Sequence, residues 1–180
     1  MGRFWVGIVA LGIWALPLRA DNSLSIALAW PRSQHATADG SALDNEDQPR
    51  TLSYPNGILP VLLKNESTHP LRLCNSDGSG GYANLSFRIK LDDGRSIPIE
   101  KKPIWNWERN PLYFWLLQPG ETFVLEAALY DGSWAWDEPP LRPHHGLIIP
   151  IYKATPSDHL EEMGVWSGVV EGQGVPIQFQ

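Results

Sequence analysis

Between residues 84 and 91 apolar and polar side chains alternate without a break. Leu85, Phe87, Ile89 and Leu91 fall on one face of an extended chain, and Ser86, Arg88 and Lys90 on the other. A period of two predicts a half-buried β-strand. The same rhythm returns from Thr122 to Tyr130, where Phe123, Leu125, Ala127 and Leu129 share a face. Shorter runs at Leu24–Trp30, Ile58–Lys64, Leu71–Leu73, Arg95–Glu100, Leu147–Lys153, Val165–Glu171 and Val175–Phe179 also read as strands. Turn chemistry separates them: Asn65–Pro70, the glycine-rich Asn75–Gly81, the hairpin signal Asp92-Asp93-Gly94, and Pro119-Gly120-Glu121. Only Asp158–Met163 suggests a turn of helix. Roughly eight to ten short strands without helical crossovers predict an all-β, antiparallel immunoglobulin-like β-sandwich. The Cys–Trp–Cys framework of antibody domains is absent, so the likeness is architectural.

The start of the chain departs from this rhythm. Arg3 is followed by thirteen uncharged, mostly apolar residues, Phe4–Leu16, and then by Leu18-Arg19-Ala20. At about 1.5 Å per residue such a run falls short of the ~30 Å hydrocarbon core of a bilayer. The layout predicts a secretory signal peptide over residues 1–20, with an uncleaved anchor as the alternative. Residues 31–50 hold few large apolar groups and predict a flexible surface segment. The expected organisation is therefore a signal peptide (1–20), an N-terminal strand with a flexible segment (21–57) and a β-sandwich domain (58–180). A secreted or periplasmic location follows, with no membrane insertion after cleavage.

Charge narrows the partners. Loss of residues 1–20 removes Arg3 and Arg19, leaving 12 basic and 20 acidic residues and a formal charge of −8. Nucleic acid and anionic lipid are bound through clustered Lys and Arg, so neither is an expected partner. Cys74 is the single cysteine, which forbids an intrachain disulfide. Its strand-like setting reads as a buried thiol that packs like a small hydrophobe.

In order along the chain, KNESTHPLRL, GYANLSFRIKLDDG, FWLLQPGETFVLEAALYDGSW and GVWSGVVEG span Lys64 to Gly172. This succession resembles uncharacterised secreted immunoglobulin-like β-sandwich proteins of planctomycete-type bacteria. The strand–PGE–strand pattern is also loosely similar to bacterial intracellular proteinase inhibitor domains. The resemblance implies a sandwich fold and a secreted bacterial setting, and carries over neither activity nor site.

Catalytic chemistry finds little footing. His35, His69, His144, His145 and His159 form no H-x-x-x-H pair, and no C-x-x-C occurs. The loop Asn75–Ser79 superficially resembles a calcium loop but lacks its acidic first position and its closing Glu. Asp158-His159 with Glu161-Glu162 reads as a solvated acidic turn. There is no G-x-S-x-G elbow, and neither Ser133 nor Ser167 has a visible activating partner. The sequons at Asn65 and Asn84 carry no weight in a bacterial protein. No enzyme activity, metal or cofactor is expected.

Aromatic residues offer the remaining candidate site. Trp105-Asn106-Trp107-Glu108 and Trp134-Ala135-Trp136-Asp137 repeat one local form in polar surroundings. In extended chain the two rings of each pair would share a face about 6.5–7 Å apart. Such rings can stack on sugars or grip a peptide while Glu108 or Asp137 accepts a hydrogen bond. Trp30, Trp115 and Trp166 read as core or sheet-covering groups instead. The expectation is an exported, non-enzymatic binding or structural module of the bacterial envelope that recognises protein. The alternatives are a carbohydrate-binding module using Trp105, Trp107, Trp134 and Trp136, a proteinase-inhibitor-like module and, last, a hydrolase. Burial of the paired indoles is the deciding property.

Overall fold

The computed structural model describes residues 23–29, 50–52, 58–76, 78, 80–104, 112–136 and 145–179. Among these, twelve strands and one short helix follow in order. They are β1 (Leu24–Leu28), β2 (Arg50–Leu52), β3 (Ile58–Asn65), β4 (Leu71–Cys74), β5 (Leu85–Leu91), β6 (Ser96–Lys101), β7 (Phe114–Leu117), β8 (Thr122–Ala128), β9 (Trp134–Trp136), β10 (His145–Ala154), α1 (Asp158–Glu162), β11 (Gly168–Glu171) and β12 (Val175–Phe179). One sheet has the order β1-β3-β8. A larger one runs β2-β12-β10-β5-β6-β9, with β11 also on β10, and β4 pairs with β7 separately. The strand ladders are antiparallel except for β2 on β12. The predicted all-β antiparallel sandwich is the architecture found.

Alternation determines what each strand buries. Leu24 and Ile26 of β1, Leu59, Val61 and Leu63 of β3, and Leu125 and Ala127 of β8 point inward from the smaller sheet. They meet Leu85, Phe87, Ile89 and Leu91 of β5, Ile97 and Ile99 of β6, and Ile148 and Tyr152 of β10 in one apolar cluster. At about 1.5–3 kcal/mol for each large apolar side chain fully buried, these residues supply the main driving force of folding.

Local signals close the turns. Gly94 adopts φ +87° in the predicted β5–β6 hairpin, a left-handed conformation that glycine takes without steric cost. The predicted helical turn is α1, whose Ser157 hydroxyl accepts from the Leu160 N–H at 3.3 Å.

Pro150 lies within β10, where a missing N–H would ordinarily break the ladder. Its carbonyl accepts from the Gly172 N–H at 2.9 Å. Gly172 lies between β11 and β12, which share that edge of β10. A strand residue turns its N–H and C=O to the same edge, so the absent donor falls at the changeover, where neither ladder needs it.

Candidate functional site

Trp105, Trp107, Glu108 and Asp137 lie outside the described residues. Trp134 and Trp136 form the two ends of β9 and share its core-facing side. Offered as half of a ligand-binding pair whose burial the sequence left open, Trp134 is only 3% exposed. Its ring meets Phe87 at 5.4 Å between centroids, and its Nε1 is buried with no hydrogen-bond partner among the described residues. Trp136 is half-buried and stacked on Tyr130 at 5.9 Å with an interplanar angle of 18°. The burial has a simple cause. The polar neighbours Asp131 and Ser133 belong to the turn before β9, while alternation within β9 sends the indoles inward.

Lys101 is the unexpected member of this region. In β6 the core-facing positions are Ile97, Ile99 and, two residues on, Lys101, which pairs with Trp134 in the ladder. The ammonium therefore occupies an apolar register at the end of the inter-sheet space. Its Nζ lies 4.0 Å from the Trp134 ring centroid and 5.3 Å from that of Tyr82, both within cation–π range. It also donates to Ser133 Oγ at 2.7 Å. No carboxylate of the described residues lies within ion-pair distance of it. Burial pulls the Lys101 ammonium below the ordinary lysine value, against the opposing charge of Asp131. At Asp131 desolvation is outweighed by the Ser133 hydrogen bonds and by Lys101 and Lys102, so its carboxyl titrates below the ordinary value.

A cleft of about 380 Å³ opens beside this ammonium. Leu125 and Glu126 line it from β8, Leu85, Lys101 and Trp134 from the larger sheet, and Ser76 and Tyr82 from the β4–β5 connection. Its floor is aromatic and aliphatic, with the lysine as its cation and Glu126 on the exposed side.

A second surface stands out on the outside of the smaller sheet. Ala27, Leu62 and Val124 lie side by side across β1, β3 and β8. Beside them Pro60 faces Glu126, and Ile58 faces Ala128. Ile58 and Val124 are each 51% exposed. The outer face of an antiparallel sheet is normally polar. The larger sheet mixes polar and apolar groups, with Arg88, Lys90, Ser96 and Glu100 outward and Arg88 paired to Glu171, but with Leu147 38% and Val169 57% exposed on β10 and β11. On the smaller sheet polar groups flank the apolar row on both sides: Glu126 on one, and on the other Lys64 Nζ and Ser25 Oγ, which both donate to Glu66 at 3.0 Å. Those bonds, that from Lys64 first, hold the Glu66 carboxyl below its ordinary value.

The remaining expectations resolve locally. Cys74 is buried, and burial pushes its thiol up, which suppresses the thiolate needed for nucleophilic chemistry. Trp166 is buried against Tyr152 at 5.9 Å, with its Nε1 donating to Ser23 Oγ at 3.1 Å. Trp115 packs half-buried on Phe123 at 4.2 Å. Asn65 is fully buried, so its sequon is unreachable in the folded protein.

Sequence reasoning missed Lys101 and Tyr82, although the in-phase spacing of Ile97, Ile99 and Lys101 was a usable signal. It also missed the apolar outer face, whose trace is the unbroken run Ile58–Leu63. Comparison with protein-family models, curated proteins and solved structures gives no match.

Proposed function

We propose that this protein is an exported, immunoglobulin-like, non-enzymatic binding module that recognises a protein surface. The observation that carries the reading is the row Ala27–Leu62–Val124, widened by Ile58 and Pro60, on a sheet face that water would otherwise select as polar. Contiguous exposed apolar area rimmed by polar groups marks interaction sites more often than scattered single residues do. Lys64 and Glu126 flank the row on opposite sides, so a partner of matching chemistry carries an apolar patch set between an acidic and a basic group. Export rests on the signal-like residues 1–20.

The glycan reading loses one ring of its second platform to the burial of Trp134. What remains of it rests on Trp136, half-buried on Tyr130, and on Trp105 and Trp107, which lie outside the described residues.

Site-specific photo-crosslinking tests the proposal. A photoreactive residue at Val124 is expected to capture a discrete protein partner from the native envelope. The same group at Ser96, on the outer face of the larger sheet, should not capture it. Val124→Lys and Leu62→Lys should abolish a crosslink made from Ile58. Identical products from Val124 and Ser96, or a crosslink indifferent to both lysines, would count against this face.

A further inference from the structure

The cleft beside Lys101 has a chemistry that the apolar sheet face does not use. Three observations converge there. First, an ammonium occupies a core-facing register that Ile97 and Ile99 lead up to. A charge in such a place, offset only at a distance by Asp131 beyond Ser133, carries a desolvation cost that a neutral side chain would avoid. Second, its neighbours are two aromatic faces and one hydroxyl, and among the described residues no carboxylate pairs with it. An ammonium has three donors, and Ser133 takes one, leaving two for a further acceptor. Third, the space beside it is open and has apolar walls, Leu85 on one sheet and Leu125 on the other.

We propose that this cleft binds a small monocarboxylate with an aliphatic or aromatic body, its carboxylate pairing with Lys101 and its body lying between Leu125, Leu85 and the Tyr82 and Trp134 rings. Size supports a small acid over a polymer chain. The cleft's volume of about 380 Å³ sits at the low end of the ~300–1,000 Å³ typical of small-molecule sites. Glu126 on the exposed side adds selectivity, because a second anionic group reaching outward would meet it. The site therefore takes monoanions over dianions. Half-burial strengthens the pairing, since an ion pair is less screened there than in open water. The site shares Glu126 with the rim of the outer sheet face, but its ammonium and apolar walls are its own, so acid binding at Lys101 is tested separately from that face.

Calorimetric titration of the folded protein with hexanoate, benzoate, their neutral amides and adipate tests the proposal. Both monoacids are expected to bind saturably, and hexanamide, benzamide and adipate far more weakly. Lys101→Gln should weaken hexanoate by about tenfold or more, as loss of a charge-assisted hydrogen bond implies, while Lys101→Arg should retain most of the affinity. Glu126→Gln, at an exposed position, should bring adipate close to hexanoate. Equal binding of hexanoate and hexanamide, no saturable binding of either acid, or full affinity in folded Lys101→Gln would overturn the assignment. Should Lys101→Gln fail to fold, the acid–amide comparison and Glu126→Gln decide the matter in folded protein.

Discussion

The side-chain amide of Asn65, at the end of β3, donates to the carbonyl of Leu117, at the end of β7, at 2.9 Å. The same nitrogen donates to the His69 carbonyl at 2.8 Å. Its Oδ1 accepts from the Ser67 N–H at 2.8 Å and the Ser67 hydroxyl at 2.7 Å. Two donors and two lone pairs are the whole capacity of a carboxamide, so this fully buried group is saturated. It fastens the β3–β4 turn to the strand that precedes β8, and the Gly120 N–H adds a bond to the Asn65 carbonyl at 2.9 Å.

Asn65→Ala should therefore cost about 2–4 kcal/mol, because it strands buried polar partners instead of exposing them to water. Asn65→Asp should be no better, since it turns an oxygen toward two carbonyls. Urea denaturation measures both. A loss below about 1 kcal/mol for the alanine variant would mean that water replaces the amide cheaply.

The two sides of the smaller sheet should respond oppositely to truncation. Leu63 is fully buried, and Leu63→Ala should cost about 2–5 kcal/mol through lost transfer energy and a residual cavity. Val124→Thr, on the exposed side of the adjacent strand, should stay within about 0.5 kcal/mol of the parent. It should also lower the tendency to self-associate if the apolar row is sticky. Denaturation midpoints and light scattering read the two effects. A cost at Val124 as large as that at Leu63 would show that this face is already covered within the chain.

Alkali should find a weak point at Tyr152. Burial, offset in part by the Asn84 amide and reinforced by Cys74, pushes its phenol up to about 12 from an ordinary 10. The folded state thus keeps the proton longer than the unfolded state. The associated stability is fully present below about pH 10 and is lost as pH rises toward 12, by roughly 3 kcal/mol in total at 1.36 kcal/mol per unit. Tyr152→Phe should flatten that part of the stability profile. An unchanged alkaline slope in the variant would assign the loss to other groups.

Much of the fold was legible because it is local. β5 and β8 carry uninterrupted alternation, Asp92-Asp93-Gly94 closes its hairpin, and Ser157 caps the one helix. β2 was not legible. Three residues, Arg-Thr-Leu, have no pattern of their own, and their strand exists only through pairing with β12, distant in sequence. The site was harder for the same reason. Trp134 was a binding candidate because Asp131, Asp137 and Glu138 stand near it in sequence, yet the β6–β9 ladder turns it inward. Lys101 falls one residue past the strand predicted over Arg95–Glu100, and only the phase of Ile97 and Ile99 hints that it points into the sandwich.

That phase leads to a last prediction. A methionine at position 101 would keep the length of the lysine stem and its packing on Trp134 while removing a half-buried charge. Isosteric replacement of poorly compensated charges is often neutral or stabilising, so Lys101→Met should raise stability by about 0.5–1 kcal/mol at neutral pH. The sign with pH follows from the lowered lysine value. Between the folded value and the ordinary 10.5 the unfolded chain holds the extra proton, so the parent should gain stability as pH rises through that window. Lys101→Met should lack that gain, and with it the monocarboxylate binding. A variant that is more stable but unable to bind hexanoate would show that the charge is kept at the expense of stability. A clearly destabilised Lys101→Met would instead make the ammonium, through Ser133 and the two rings, a structural tie.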